Sequence, residues 1–347
     1  MNKKIDFYVD VIDNFWDLGF AINLIFIMLK NDPKLEIRLF SNDEKLYKNM
    51  VKNNIFIKNI VYFDLKEIYK FEPNNLIFNF FDRKIDFEFL KNKNYEIKLI
   101  NFSYFLMHKW VENLHLTSYI DKNIEITHFV PSLLKNTWWV LINKQVQKYN
   151  KKDLILFLEK KYNLNLKLNL ENKFISIFVY SDTLNEILSS FTDDRTTYFI
   201  FWYNITDIKN KNSVIMPFIE LEDYNNFLSI CDVNYVRGEN SLISSLIYWK
   251  PTIWDIYKEN NNAHIEKIED FIDFLRLFSL FKESYFELFR NFNKAWQRDI
   301  IFNEFSNNYF FYKDMFFELW KYVNNECDAY EKIKKILKNL IKYTIFF

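Results

Sequence analysis

The sequence predicts an α/β protein built from two doubly wound, Rossmann-like domains. Short apolar runs of strand length alternate with longer apolar runs of helix length through most of the chain. A polar, irregular stretch at 163–172 interrupts that series near its middle. The two glycines, Gly19 and Gly238, each fall where a strand-like run gives way to a helix-like one, and open α/β sheets bind ligands at such βα turns. We therefore expect two domains, 1–165 and 166–347, joined by a linker and holding a ligand in a cleft between them.

In order, residues 5–12 read as a strand, 20–29 as a buried helix and 35–40 as a strand, together a βαβ unit. Strand-like runs follow at 57–63, 75–81 and 97–102, with a short helix over 87–92. The stretch 108–118, HKWVENLHLTS, reads as a loop with a helical turn, and 126–134 as an apolar piece leading to a helix over 152–162. After the linker come strand 173–180, helix 184–191, strands 197–203 and 214–218, helix 223–231 and strand 233–236. A helix to about 249, a strand over 252–257 after Pro251 and a helix over 263–278 complete the series. From 284 onward the pattern is helical, and its basic end, 330–343, reads as a solvated helix face.

Half of the 347 residues are apolar, enough for two cores. The excess of Phe, Tyr, Ile, Asn and Lys over Gly and Pro has the look of an AT-biased genome, so scattered surface aromatics carry little meaning. With 46 basic and 46 acidic residues the formal net charge is zero, and no global field points to nucleic acid or an anionic membrane. Cys231 and Cys327 make no disulfide or metal pattern, and His108, His115 and His128 lack ligand spacing, so no metal is expected. No run of about 18 uncharged apolar residues suggests a membrane span, and no signal peptide is evident; a cytoplasmic setting is expected.

The stretch 233–241, VNYVRGENS, carries the most chemistry. Gly238 permits a sharp turn or a close approach to a ligand. Asn240 or Ser241 would cap a helix starting near Leu242, whose first-turn N–H groups, with Arg237, would suit an anion. The same residues also fit an ordinary capped βα turn. The stretch 11–19, VIDNFWDLG, places Asp13 and Asp17 after the first strand, where an Asx-turn is the plain alternative for Asp13.

Several short motifs, in order and spacing, resemble the EarP family, the arginine rhamnosyltransferases of translation elongation factor P. They are Asp13 to Gly19, Phe178-Val179-Tyr180, Met216-Pro217-Phe218, Asp223-Tyr224, Arg237 to Ser241, Lys250-Pro251, Trp254 to Tyr257 and Ala263 to Lys267. The resemblance runs from the N-terminus to about residue 270. It implies a GT-B glycosyltransferase, with an acceptor-binding N-terminal domain facing a nucleotide-sugar-binding C-terminal one. The implied reaction moves rhamnose from TDP-β-L-rhamnose to an arginine of elongation factor P, with inversion and without a metal or other cofactor. Carried over by position, Asp17 would be the general base, Asp13 would help hold the acceptor arginine and Glu239 would assist at the reacting centre. Arg237, Asn240 and Ser241 would hold the diphosphate beside Gly238, while Phe178, Tyr180 and Tyr224 would wall the thymine and sugar.

The chain departs from that pattern where the family has glycine, at Trp16, Trp138, Trp139 and Trp249, and where it has an acidic residue, at Asn240. Either the site has drifted, or codons meaning glycine stand translated as tryptophan. Two other functions remain open at this point: a non-catalytic homologue that still binds elongation factor P, and a GT-B enzyme with a lipid or saccharide acceptor.

Overall fold

The computed structural model describes residues 4–12, 14–52, 54–81, 83–137, 149–201, 212–258, 263–327 and 333. The chain divides into two compact units, residues 1–143 with 325–347, and residues 144–324.

In the first unit the chain runs β1 (Lys4–Val9), α1 (Asn14–Asn31), β2 (Glu36–Ser41), α2 (Glu44–Val51), β3 (Ile60–Asp64) and β4 (Leu76–Phe80). It continues through α3 (Phe87–Lys91), β5 (Ile97–Phe102), α4 (Val111–Leu114), β6 (Ser118–Asp121) and β7 (Ile124–Phe129). Among the described residues these strands form one sheet in the order β3-β2-β1-β4-β5-β7-β6, parallel except for the β6–β7 pair. The order reverses between β1 and β4, which puts the turn after β1 at the switch point of a doubly wound sheet. Period-2 alternation fills both faces. On one, Phe7 stacks on Phe78 at 4.8 Å and Phe80 on Phe102 at 4.7 Å, with Phe20 of α1 edge-on to the last pair. On the other, Tyr8 and Phe40 lead an apolar cluster with Ile77 and Leu99.

In the second unit, α5 (Lys151–Tyr162) precedes β8 (Lys173–Phe178), α6 (Ser181–Ile187), β9 (Thr196–Phe201), β10 (Ser213–Met216) and α7 (Leu221–Ile230). Then come β11 (Val233–Arg237), α8 (Glu239–Ile247), β12 (Thr252–Asp255), α9 (Ala263–Leu275), α10 (Glu283–Asn293), α11 (Arg298–Asn307) and α12 (Tyr309–Glu326). The described strands make a parallel sheet in the order β10-β9-β8-β11-β12. Its switch point lies between β8 and β11, so the turns after those two strands open together at the ligand-binding end.

Several boundaries differ from the sequence reading. The drawn boundary after 165 leaves α5 with the first domain, whereas α5 packs as part of the second unit. Lys151 pairs with Asp232 at 2.9 Å, Lys161 with Asp223 at 2.7 Å, and the Tyr162 hydroxyl donates to Asp223 at 2.5 Å. The irregular stretch 163–172 therefore lies inside that unit, starting at Asn163, which ends α5 in a left-handed conformation. The first strand stops at Val9 and the helix begins at Asn14, so Gly19 is a buried residue of α1 and not part of a turn. Asp13, Asn14 and Asp17 mimic a loop in the sequence, but an acid in the first turn, here Asp17, is what a helix start favours. Helix α8 begins at Glu239, three residues before the expected start, because Gly238 takes the N-cap at φ 69°, ψ 151°. Its C-terminal end forms a Schellman turn: Trp249 N–H donates to Leu246 O and Lys250 N–H to Ser245 O, with Trp249 at φ 57°, where glycine is the usual residue. Trp249 packs there against Phe317 and Trp320. Trp138, Trp139, the Trp16 side chain and nearly all of 330–343 lie outside the described residues.

Candidate active site

In the second unit the residues singled out by sequence converge at the open ends of β8 and β11. Beneath α8, Asn234 of β11 donates to Ser245, which bonds Thr252 of β12, so the helix is pinned to both strands by a buried polar string. Ser244 also donates to Asn225 of α7 at 2.8 Å. Gly238 then turns the chain with a backbone that side-chain-bearing residues avoid. Glu239, Asn240 and Ser241 become the first turn of α8, whose N–H groups form the positive end of a nine-residue helix.

Arg237, the last residue of β11, lays its guanidinium 4.4 Å from the centre of the Phe178 ring and 5.1 Å from that of Tyr180. Phe178 meets Tyr224 edge-on at 5.7 Å, and Tyr180 meets Tyr257 at 5.6 Å. Strand logic puts Phe178 and Tyr180 on one face; the strand ends at Phe178, and Tyr180 reaches the same guanidinium from the N-cap of α6. Burial holds the Tyr224 hydroxyl well above the ordinary tyrosine range, with Ser241 and Ser176 beside it, so it stays neutral. Glu239 pairs with Lys267 of α9, whose ammonium also lies 5.4 Å from the Trp254 ring centre. A guanidinium held by aromatic faces beside a helix N-terminus is chemically a cradle for a polyanion attached to a flat ring.

In the first unit Asp17 is fully buried in the first turn of α1, and its Oδ2 accepts the Ile12 N–H at 2.7 Å. Asn42 bonds the Val11 N–H and carbonyl, so the turn after β1 is tied to the end of β2. Asp13 lies outside the described residues. His115 is buried with Nδ1 2.8 Å from the Val130 carbonyl, and burial lowers its pKa to about 4. It is a neutral core group. Among the described residues no three His, Cys, Asp or Glu side chains gather as metal ligands do, and no helix is long and apolar enough to cross a membrane.

Asp255, Tyr257 and Lys267 lie within the same sequence motifs but have no role that the motifs themselves reveal. Asp255 is buried at the end of β12, accepts the Tyr180 N–H at 2.9 Å, and has a pKa raised by burial to about 6. An acid inside an apolar strand, Thr-Ile-Trp-Asp, was the available signal.

A family model described as elongation-factor P (EF-P) rhamnosyltransferase EarP matches residues 5–207 and 202–344. A protein-arginine rhamnosyltransferase of Pseudomonas putida is 33% identical over 72 residues, 20% of this chain and 19% of that protein. The chain thus aligns with only about a fifth of that curated relative's length. A solved structure described as the structural basis for EarP-mediated arginine glycosylation of translation elongation factor EF-P covers 97% of this chain and 99% of its own, at 13% identity and a TM-score of 0.61. The glycotransferase of kitacinnamycin covers 97% and 98% at 8% identity and a TM-score of 0.57. These likenesses give the fold class, GT-B.

Proposed function

The chain belongs to the EarP family, and from that premise we propose that it is an inverting protein-arginine rhamnosyltransferase. It takes rhamnose from TDP-β-L-rhamnose and places it on an arginine of translation elongation factor P, with no metal in the reaction. The observation that carries the donor half of this reading is Arg237, seated against Phe178 and Tyr180 beside the Gly238-capped start of α8.

A guanidinium is a poor nucleophile because it stays protonated at neutral pH. As one of its nitrogens bonds to the anomeric carbon, the carbon–oxygen bond to the diphosphate breaks and one proton leaves that nitrogen. Asp17 takes the proton, Asp13 helps hold the acceptor cation, and Glu239 assists at the reacting centre. Arg237 and the N–H groups and side chains of Asn240 and Ser241 hold the departing diphosphate. Phe178, Tyr180 and Tyr224 wall the thymine and sugar. Lys267, by pairing with Glu239, keeps that carboxylate from repelling the diphosphate.

Intact mass spectrometry of elongation factor P from the same source, incubated with this protein and TDP-β-L-rhamnose, tests the reading. The expected result is a gain of one deoxyhexose, localised to a single arginine. No gain, with the two proteins co-eluting on a sizing column, would favour the non-catalytic binder.

A further inference from the structure

Asp255 stands in register with Arg237 across β11 and β12, and only 1% of it is exposed. Its Oδ2 takes the main-chain N–H of Tyr180, and its Oδ1 lies 3.9 Å from Nη2 of Arg298 at the start of α11. Arg298 is equally buried. Its Nε donates to Phe292 O at 2.8 Å, and its Nη1 reaches Glu186 at 3.3 Å and Asp182 at 3.6 Å, both on α6. Asn293 of α10 closes the far side: it takes the Ile256 N–H at 2.8 Å and donates to Trp254 O at 3.0 Å. The end of β12 is therefore fixed from below by α10 and α11, and it fixes in turn the start of α6.

Such an assembly is costly for stability alone, since buried charges lose hydration that an apolar replacement of the same volume would not need. What the Asp255 carboxylate adds is a point acceptor at one place, the N–H that orients the turn after β8. We propose that Asp255, held by Arg298, is a positioning residue for the donor site, fixing the Tyr180 main chain so that the Tyr180 ring is presented to Arg237 and to the bound nucleotide. This deepens, and rests on, the reading of Tyr180 and Arg237 as nucleotide-sugar residues. Asp255 acts through Tyr180 and touches no reacting atom, so its loss weakens donor binding and leaves proton transfer at Asp17 alone.

The test is titration calorimetry of the full chain with TDP, with thermal melting run in parallel on each variant. Asp255→Ala is expected to weaken TDP about tenfold, the scale of one charge-assisted hydrogen bond. Asp255→Asn keeps an oxygen for the Tyr180 N–H and is expected to recover most of that loss. In a Tyr180→Ala background, Asp255→Ala is expected to add nothing further, because the two act as one unit. Arg298→Lys, a milder change, is expected to weaken TDP several-fold in a folded protein. Folded Asp255 and Arg298 variants that bind TDP as the wild type does, or an additive loss in the Tyr180→Ala background, overturn the proposal while leaving the donor-site reading intact. A wild-type chain that does not bind TDP overturns that reading, and the proposal with it.

Discussion

The turns after β1 and β11, the one ahead of the helix that contains Gly19 and the other holding Gly238, are built from opposite materials. In the first unit the turn after β1 is made by side chains. Asp17 accepts the Ile12 N–H, Asn42 holds Val11, and Gly19 is an ordinary helical residue packed in the interior. In the second unit the turn after β11 is made by backbone, with Gly238 at φ 69° and no side chain capping α8. One turn therefore holds a carboxylate at a helix start, and the other sets the first turn of a helix beside a guanidinium. A transferase that must take up a proton from a cationic acceptor and hold a departing anion needs one of each.

The sharpest way to break that division is Asp17→Asn. Transfer is expected to fall by a factor of about 10² to 10⁴, with TDP binding by calorimetry close to wild type. Loss of TDP binding instead would make Asp17 a nucleotide residue and erase the contrast.

The two units also carry buried groups with opposite responses to pH. His115 has its pKa lowered to about 4 by burial, below its unfolded value, so stability present at neutral pH is lost as pH falls from about 6.5 to about 4. Asp255, with Arg298 and Asp182 near it, is raised to about 6 by burial, so its stability is present below about 4 and is lost as pH rises through about 6. Each is worth roughly 3 kcal/mol across its window. Denaturant unfolding from pH 4 to 7 should show His115→Gln gaining relative stability at the acid end and Asp255→Asn at the neutral end. The same direction for both would remove this part of the comparison.

Gly238→Ala is expected to destabilise the second unit by about 1–3 kcal/mol, since a Cβ is disfavoured at that backbone, and to weaken TDP as the helix start shifts. Gly19→Ala gains helix propensity and loses interior space, for a net change within about 1 kcal/mol. Equal effects in thermal melting would show that Gly238 matters to its turn no more than Gly19 matters to α1. The smallest effect concerns Trp249, which holds a glycine's left-handed place at the end of α8. Trp249→Gly is expected to relieve about 1 kcal/mol of backbone strain, offset in part by lost contact with Phe317 and Trp320. A clear loss of stability would show that the tryptophan is native there, and UGG codons at 16, 138, 139 and 249 would say the same.

Much of the proposed donor site could be read from the sequence because its parts are close together in it. Arg237, Gly238, Glu239, Asn240 and Ser241 are consecutive, and the βα pattern around them puts them at the ligand end of a sheet. The alternation of apolar runs likewise determined an α/β chain with two sheets, because burying one face of a strand or helix writes a period into the residues themselves. The starts of α1 and α8 were not readable from that period. Polar residues at a helix start and polar residues in a loop look alike until the backbone shows which N–H groups they serve. Nor did any local pattern join Asp255 to Tyr180, 75 residues away, seat α5 on Asp223 or gather Arg298 beneath β12. A buried charge needs partners, and where they come from distant chain, as Tyr180 does for Asp255, the meeting exists only in the folded protein.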